Sequence, residues 1–417
     1  MKINLDRFSA PCSCGHIHEI SVKNIWIEPQ ATRFLPKLLR PYENPIFICD
    51  SRTKAASMEA LKDFFEVYPV VEITSENAAA DNEYVDIIMN SLPSDPDILI
   101  AVGSGTIHDL TRFVSHKKSI PFISYPTAAS VDGFVSTVAA MTWFGLKKTF
   151  PAQAPIYVVA DTNIFSKAPR RLTAAGMGDL MGKYTSLADW KISSLVSGEY
   201  LCENVYNLME EAVKEAEAAL GGIRDGSMDG MEKLMYALLL SGLAMQMVGN
   251  SRPASGAEHH LSHLWEIHVI NPPVSALHGE KVSVGLLLCL ERYEKALQAI
   301  KDGKYTISDN LDFEWDLLKK YFQPAGLYDM IMEENQENLL TPQIAAGCES
   351  KIGEIAAVLS ALPGYDTMKV TLEQAGCPTS LTDLGLKEDI KEISLQLSPY
   401  IRRRLTLMRL LKVIKLI

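Results

Sequence analysis

The sequence lacks an apolar run long enough to cross a membrane, and we expect no secretory leader. Its richest apolar stretch, Met235–Val248, is interrupted by small and polar residues and is shorter than the roughly 20 residues of a transmembrane helix. The N-terminal residues MKINLDRFSAPCSCGHIHEI contain no apolar core typical of a signal peptide. The seven cysteines, an odd number spread over 417 residues, favour reduced thiols. We therefore expect a cytoplasmic protein with no integral membrane segment.

An excess of basic charge is also absent. The chain has 40 lysines and arginines against 51 acidic residues, a formal net charge of −11, which argues against nucleic acid as the main partner. A small anionic substrate stays possible because it needs only local positive charge or a metal. With 47% hydrophobic and 22% charged residues the composition is that of a globular protein, and its length suits two domains.

The first part of the chain alternates short β-rich runs with helical stretches. Alternation of this kind is typical of βαβ units around a buried parallel sheet, so we predict an α/β, Rossmann-like nucleotide-binding domain over residues 1–162. The predicted strands are 46–50, 70–74, 97–105, 119–127 and 155–161, and the predicted helices between them include 53–68 and 84–92.

Beyond residue 163 the strand signals nearly vanish, and we predict an all-α metal- and substrate-binding domain over residues 163–417. Its predicted helices include 179–196, 204–220, 230–247, 282–297 and 311–321. The tail, Tyr400–Ile417, reads as a basic amphipathic helix. Packing of this helix on its own domain is favoured over docking at a membrane surface.

A glycine-rich segment, IAVGSGTIHDLTRF, combines a strand, a turn and a helix start. Gly103 and Gly105 permit close backbone approach, and the helix that follows offers unpaired N–H groups to a pyrophosphate. The segment is not a full G-x-G-x-x-G motif, so a tight turn without a ligand explains it equally well.

Two further features lie at the ends of strands in the same domain. Asp50 closes the strand IFICD, where it either binds an adenosine ribose or caps the next helix. The loop YPTAASVDGFVS gathers small and polar residues suited to lining a cleft, although ordinary turn chemistry also accounts for them.

The helical part concentrates histidine: of nine in the chain, five fall between His259 and His278. His259 and His263 are four apart and share one helix face, while His278 and Asp179 come from other segments. Two imidazoles and a carboxylate with open positions form a catalytic divalent-metal set. His260 is the alternative to His259 as ligand, because adjacent helical positions point about 100° apart.

The N-terminal segment PCSCGHIH contains Cys12, Cys14, His16 and His18. These residue types can bind a metal, but their spacing is unusual for a structural zinc site. We therefore favour an ordinary exposed or sheet-edge segment.

Five ordered blocks carry a resemblance to a known family: AVGSGTIHDLTRF, PFISYPTAASVDGFVS, AAGMGDLMGKYTSLADWKIS, SRPASGAEHHLSH and LHGEKV. Together they span residues 101–282 and resemble the bacterial sn-glycerol-1-phosphate dehydrogenases of the AraM/EgsA type. That family lies within the superfamily of iron-containing alcohol dehydrogenases, glycerol dehydrogenases and dehydroquinate synthases. The resemblance implies a dehydroquinate synthase-like fold, a homodimer and an active site in the cleft between the two domains.

The resemblance also implies roles for individual residues. It places the metal on Asp179, His259 and His278, substrate contacts on Asp132, Asp179 and His263, and catalytic roles on Asp179 and His263. The residues that it assigns to the nucleotide, together with Asp50, are Gly103, Ser104, Gly105, Thr106, Ile107, Thr127, Ala128, Ala129, Ser130 and Ser136.

The expected function is reversible, NAD- or NADP-dependent reduction of dihydroxyacetone phosphate to sn-glycerol 1-phosphate, with one nickel, zinc or iron ion. Lys183 and Arg252 are further cations that could face the substrate phosphate, or equally be surface charges. A glycerol dehydrogenase or a related alcohol dehydrogenase is the alternative enzyme. A non-catalytic regulator that binds NAD and metal is the alternative outside catalysis.

Overall fold

The computed structural model describes residues 3–8, 11–75, 78–144, 146–308 and 311–417. The chain divides into two compact units. Unit 1 comprises Met1–Leu180 and Glu211–Asn250, and unit 2 comprises Met181–Glu210 and Ser251–Ile417. The domain boundary that we placed between residues 162 and 163 stays a prediction.

Unit 1 is built on a six-stranded parallel sheet, which confirms the predicted Rossmann-like α/β fold. In chain order the strands of the unit are β1 Asn24–Glu28, β2 Pro45–Asp50, β3 Val70–Ile73, β4 Ile98–Gly103, β5 Phe122–Pro126, β6 Val138–Trp143, β7 Leu146–Pro151 and β8 Tyr157–Asp161. The sheet has the order β1-β8-β5-β4-β2-β3, while β6 and β7 form a separate antiparallel hairpin.

Helices cover the sheet. Those of unit 1, and those that it shares with unit 2, are α1 Leu35–Leu39, α2 Ser51–Val67, α3 Asn82–Ser91, α4 Gly105–Lys118, α5 Thr162–Phe165, α6 Arg170–Met181, α8 Glu203–Ala218, α9 Leu220–Asp225 and α10 Met228–Val248, with α7, Lys183–Ser197, in unit 2. Alternate residues of β2 enter different cores: Ile46 and Ile48 pack on one side of the sheet, and Phe47 and Cys49 on the other. Burial of both faces explains the nearly continuous apolar runs of the predicted strands.

The order of the strands fixes where a ligand can bind in unit 1. From β2 the chain passes through α2 to β3 on one side, whereas β4 pairs with β2 on the opposite side. Such a reversal leaves a crevice outside the carboxyl ends of the two diverging strands. Asp50 ends β2 and Gly103 ends β4, so both flank this crevice.

Unit 2 is predominantly helical, as predicted. After α7 its helices are α11 Ala257–Glu266, α12 His278–Lys301, α13 Trp315–Phe322, α14 Tyr328–Glu334, α15 Pro342–Ser350, α16 Ile352–Ser360, α17 Tyr365–Ala375, α18 Lys391–Leu397 and α19 Leu407–Leu410. Trp265 of α11 and Tyr293 of α12 lie together in the apolar core of this unit. Two short strands, β9 Tyr305–Ile307 and β10 Ile414–Leu416, pair antiparallel.

The predicted helix over Tyr400–Ile417 is wrong. The tail contains only the short α19, and its last residues form β10. Two internal contacts explain the difference: the Leu407 N–H donates to the buried carboxylate of Asp189 at 2.7 Å, and the buried Arg409 guanidinium donates to Asn335 at 2.5 Å. The basic residues of the tail are thus partly internal, and do not form one solvated face.

The predicted helix over residues 179–196 is two helices, since α6 ends at Met181 and α7 begins at Lys183. In the ranges that the structure describes, no helix combines the length and apolarity required to span a bilayer.

Candidate active site

The glycine-rich turn joins β4 to α4 in unit 1. A Cβ on Gly103 would lie 2.5 Å from the Cβ of Ile107, so the turn packs only with glycine at this position. Ser104 precedes α4 without a side-chain hydrogen bond to the helix, and Gly105 and Thr106 form its start. The first N–H groups of α4 are therefore not capped by the Ser104 side chain, and such a helix start can bind a pyrophosphate.

The segment after β5 lies directly beside this turn. The N–H of Thr127 donates to the carbonyl of Gly103 at 3.0 Å. The four residues of the segment, all at most 5% exposed, are Thr127, Ala128, Ala129 and Ser130. A Cβ on Gly176 of α6 would lie 2.1 Å from the carbonyl oxygen of Ala129. Glycine at this position therefore allows α6 to pack against the segment.

Asp50 and Ser136 are both engaged in local backbone contacts. Asp50 caps α2, because its Oδ1 accepts the N–H of Thr53 at 2.7 Å and the Thr53 hydroxyl accepts the Asp50 N–H at 3.0 Å. The hydroxyl of Ser136 donates to the carbonyl of Val138 and accepts its N–H, each at 3.0 Å. The capping role that the sequence left open for Asp50 is thus observed, and it leaves Oδ2 for a second contact.

Asp179 and Asp132 are linked within unit 1. Asp179, in the last turn of α6, is 1% exposed, and its Oδ2 accepts the backbone N–H of Asp132 at 3.1 Å. The hydroxyl of Ser241 donates to Oδ2 of Asp132 at 2.7 Å. A Cβ on Gly242 would lie 2.8 Å from the Asp132 carbonyl oxygen, so α10 approaches this loop through a residue without a side chain.

His259 lies in the first turn of α11 in unit 2, where Glu258 holds its ring. The Nδ1 of His259 lies 2.7 Å from Oε1 of Glu258, which also accepts the N–H of Gly256 at 2.7 Å. Oε2 of the same carboxylate accepts the Thr185 hydroxyl at 2.6 Å. Burial acts to raise the pKa of Glu258, but the hydrogen bonds from His259, Thr185 and Gly256 outweigh it and hold that pKa below its usual value. An ionised carboxylate makes Nδ1 the donor and leaves Nε2 as a lone-pair ligand.

His278 opens α12 and is held in the same way by another carboxylate. Its Nδ1 lies 3.0 Å from Oε1 of Glu266, to which the ammonium group of Lys281 also donates at 3.2 Å. The ring centroids of His259 and His278 are 5.2 Å apart. Two neighbouring imidazoles, each oriented by a carboxylate through Nδ1, form the arrangement found around protein-bound divalent metals.

His263 and His260 differ sharply from this pair. The His263 ring lies 6.2 Å from that of His259 and 5.7 Å from that of His278, between centroids. Its Nδ1 has no hydrogen-bond partner in the described part of the chain. Burial lowers the pKa of both His263 and His260 well below the usual value, so both rings are neutral.

His260 has no hydrogen-bond partner for either ring nitrogen among the described residues. It is fully buried, whereas the rings of His259, His263 and His278 contact one another. Of the two adjacent histidines, His259 is the one whose ring a carboxylate orients through Nδ1.

A second set of donors exists in unit 2. Ligand atoms of His263, Glu266 and His278 lie within 4.8 Å of one another. Glu266 already orients His278 through its Oε1, which is the second-sphere role of a carboxylate and not that of a ligand.

The two cations considered for the substrate phosphate are internal. Lys183 donates from Nζ to the carbonyl of Ala254 at 2.9 Å. Arg252 donates through Nε to Glu199 at 2.6 Å and through Nη1 to the carbonyl of Leu405 at 2.8 Å. The interpretation of either as a surface charge is wrong, and both have structural contacts.

Sequence reasoning missed the residues that support the site. Glu258 and Glu266 orient imidazoles, Ser241 orients Asp132, and Gly176 and Gly242 allow close helix packing. One signal was visible, since a carboxylate precedes His259 directly. The other contacts join residues that are distant in the chain, so no local sequence pattern predicts them.

Comparison with known proteins gives a consistent result. The family model for iron-containing alcohol dehydrogenases matches residues 26–169. Glycerol-1-phosphate dehydrogenase (NAD(P)+) of Geobacillus thermodenitrificans is 36% identical over 368 residues, covering 85% of this chain and 89% of that protein. The enzyme of the same name from Geobacillus stearothermophilus is 35% identical, covering 92% and 91%.

Among solved structures, a probable glycerol dehydrogenase from Sinorhizobium meliloti 1021 superposes with a TM-score of 0.60 at 17% identity. The superposition covers 92% of this chain and 90% of that one. At this level of identity the likeness concerns the fold alone.

Proposed function

This chain belongs to the family of glycerol-1-phosphate dehydrogenases, and on that premise we propose that it reduces dihydroxyacetone phosphate reversibly to sn-glycerol 1-phosphate with NADH or NADPH. The structural observation that carries the proposal is the pair His259 and His278, each held through Nδ1 by a carboxylate. Such orientation through Nδ1 leaves Nε2 of each ring for a metal, as is typical of metal-ligating histidines.

We propose that the nucleotide binds at the carboxyl ends of β2, β4 and β5. The supporting observations are the uncapped start of α4, the glycine at residue 103 and the contact of Thr127 with the turn. When bound, the dihydronicotinamide supplies the hydride. The proposed contacts are Asp50, Gly103, Ser104, Gly105, Thr106, Ile107, Thr127, Ala128, Ala129, Ser130 and Ser136.

We propose Asp179, His259 and His278 as ligands of one divalent metal. The donor set of one carboxylate and two imidazoles suits nickel, zinc or iron. When bound, the metal acts as a Lewis acid that polarises the substrate carbonyl. Glu258 and Glu266 keep the two imidazoles in the tautomer that presents Nε2, so neither ring has to reorganise when the metal binds.

His263 and Asp132 are our choices for substrate contacts. His263 lies one helical turn from His259, and its neutral ring can hydrogen-bond the substrate or pass on the proton that the product hydroxyl requires. The Ser241 hydroxyl holds the side chain of Asp132, and the Asp179 carboxylate holds its backbone N–H. Asp132 is thereby positioned to accept a hydrogen bond from a substrate hydroxyl.

The test compares phosphorylated with unphosphorylated substrate. Reduction of dihydroxyacetone phosphate and of dihydroxyacetone is followed with NADH and with NADPH at equal concentrations. We expect kcat/KM to be far higher for the phosphate ester. A preference for dihydroxyacetone would favour the alternative glycerol dehydrogenase, and NADH binding without turnover on either ketone would favour the non-catalytic regulator.

We further propose that the enzyme acts in the cytoplasm as a homodimer. The reduced thiols and the nicotinamide cofactor suit that compartment. Light scattering of the purified protein tests the dimer, and fractionation of the source cells tests the location.

A further inference from the structure

A second group of metal-binding side chains lies in the N-terminal segment of unit 1. The backbone turns tightly there, because the Gly15 N–H donates to the Cys12 carbonyl at 3.0 Å and Gly15 has a φ of +85°. The N–H of Cys12 also donates to the carbonyl of His16 at 3.3 Å. This turn brings ligand atoms of Cys12, Cys14 and His18 within 4.8 Å of one another.

His18 is oriented as a metal ligand would be. Its Nδ1 donates to the carbonyl of Met247 at 2.6 Å, and its Nε2 lies 3.5 Å from Sγ of Cys14. The carbonyl fixes the tautomer, so the lone pair of Nε2 points toward the two sulfurs. A zinc ion at about 2.3 Å from sulfur and about 2.0 Å from nitrogen, with a tetrahedral angle of about 109°, separates those atoms by about 3.5 Å. The observed distance matches this separation.

Burial distinguishes the two histidines of the segment. The side chain of His18 is 5% exposed, whereas His16, two residues earlier, is exposed. The ring of His18 is therefore taken out of water beside two half-buried sulfurs and the carbonyl of Met247. The expectation of an ordinary exposed or sheet-edge segment does not explain that burial.

We propose that Cys12, Cys14 and His18 bind a structural divalent metal of the zinc type, separate from the metal of the active site. Thiolates and imidazole are the donors of structural zinc sites, whereas the ligands proposed for catalysis contain no sulfur. The site needs no substrate and no cofactor. It stands independently of the proposed function.

Such a metal would fasten the N-terminal segment to α10. Met247, whose carbonyl holds His18, lies at the C-terminal end of α10, and the neighbouring Gln246 accepts the N–H of Ser21 at 3.0 Å. Gln246 in turn donates to the carbonyl of Val135, in the loop that follows Asp132. The metal thus stabilises the same helix that carries Ser241, the partner of Asp132.

The test measures metal content and ligand type in the full-length protein. Zinc per chain is compared for the parent protein, the double variant Cys12→Ser/Cys14→Ser, His18→Asn and the matched control His16→Asn. We expect the first two variants to lose about one equivalent and the control to lose none. Because the comparison is between variants, the result does not depend on how much metal the active site retains.

Cobalt substitution gives a second readout that does not require a folded variant. Thiolate ligands give Co²⁺ a charge-transfer absorption in the near ultraviolet, which carboxylates and imidazoles do not. The cobalt form of the parent protein should show this band. Its absence, or equal zinc loss in the His16 and His18 variants, would overturn the proposal.

Discussion

The substitution Glu258→Gln isolates the contribution of a carboxylate that would not touch the metal. Both oxygens of Glu258 face donors: Oε1 accepts from His259 and Gly256, each at 2.7 Å, and Oε2 accepts from Thr185 at 2.6 Å. Glutamine keeps one carbonyl oxygen for His259 and Gly256. Its NH2 group then meets the Thr185 hydroxyl, which can accept that hydrogen bond and donate to the Gly182 carbonyl at 3.1 Å. The side chain has the same size, and the change therefore removes charge and acceptance without creating a cavity.

The expected loss falls on metal affinity first. Removing a second-sphere partner of a ligating histidine weakens metal binding about 10- to 100-fold, which is about 1.4 to 2.7 kcal/mol. Replacing charge-assisted hydrogen bonds by neutral ones adds about 1 kcal/mol of lost folding stability in the metal-free protein. The affinity is measured by competition with a chromophoric chelator, and the stability by urea unfolding after metal removal.

Thr185→Val is the matched control, because it removes one hydrogen bond from the other oxygen and leaves the contact with His259. We expect metal affinity within a few-fold of the parent value and a stability loss of about 1 to 3 kcal/mol, because Oε2 loses its hydrogen-bond donor. If the glutamine variant folds and binds metal as tightly as the parent protein, the orienting role of Glu258 is refuted.

Four further outcomes follow from the structure. His263→Asn should lower kcat by about 10²- to 10⁴-fold at unchanged metal content; parallel loss of metal would make it a ligand instead. His260→Leu should keep both metal and activity, as measured by metal analysis and steady-state kinetics, because the ring has no polar partner among the described residues. Gly176→Ala places a Cβ 2.1 Å from the Ala129 carbonyl oxygen. It should lower the free energy of unfolding by about 1 to 3 kcal/mol and raise the KM for NADH. An unchanged urea midpoint together with an unchanged KM would contradict the close packing. Burial and a nearby carboxylate raise the pKa of Asp189 to about 7; since this lies above the ordinary value of about 3.9, the free energy of unfolding should fall as the pH rises from about 4 to about 7. Asp189→Asn should make the free energy of unfolding, measured by urea titration, depend less on pH between about 4 and about 7. An unchanged pH dependence would refute the raised pKa of Asp189.

The elements that could be predicted from sequence are those whose signal is local. The strands around Phe47 and Ile100 are buried on both faces, so their apolar runs were unmistakable. The conformation of the tail could not be predicted, because it depends on hydrogen bonds to Asp189 and Asn335, which are distant in sequence. The amphipathic pattern of the tail favours a helix, but these tertiary hydrogen bonds stabilise a different conformation.

In the candidate site, too, only the features with a local sequence signal could be predicted. His259, His263 and His278 were visible from their clustering, and the structure brings their rings together. Spacing cannot show which of His259 and His260 meets a carboxylate, and the choice of His259 as ligand stays a prediction. The roles of Asp179 and of the nucleotide contacts stay predictions.

The most direct test of metal-dependent catalysis measures bound metal and dihydroxyacetone phosphate reduction together. The parent protein, Asp179→Asn and His259→Ala are stripped of metal and titrated separately with zinc, nickel and iron. We predict that the metal-free parent protein is inactive. With at least one of the three ions, its activity should recover in proportion to the amount of metal bound at the site. Both variants should fail to recover. Full turnover by the stripped parent protein, or normal metal binding and activity in both variants, would contradict the proposed site.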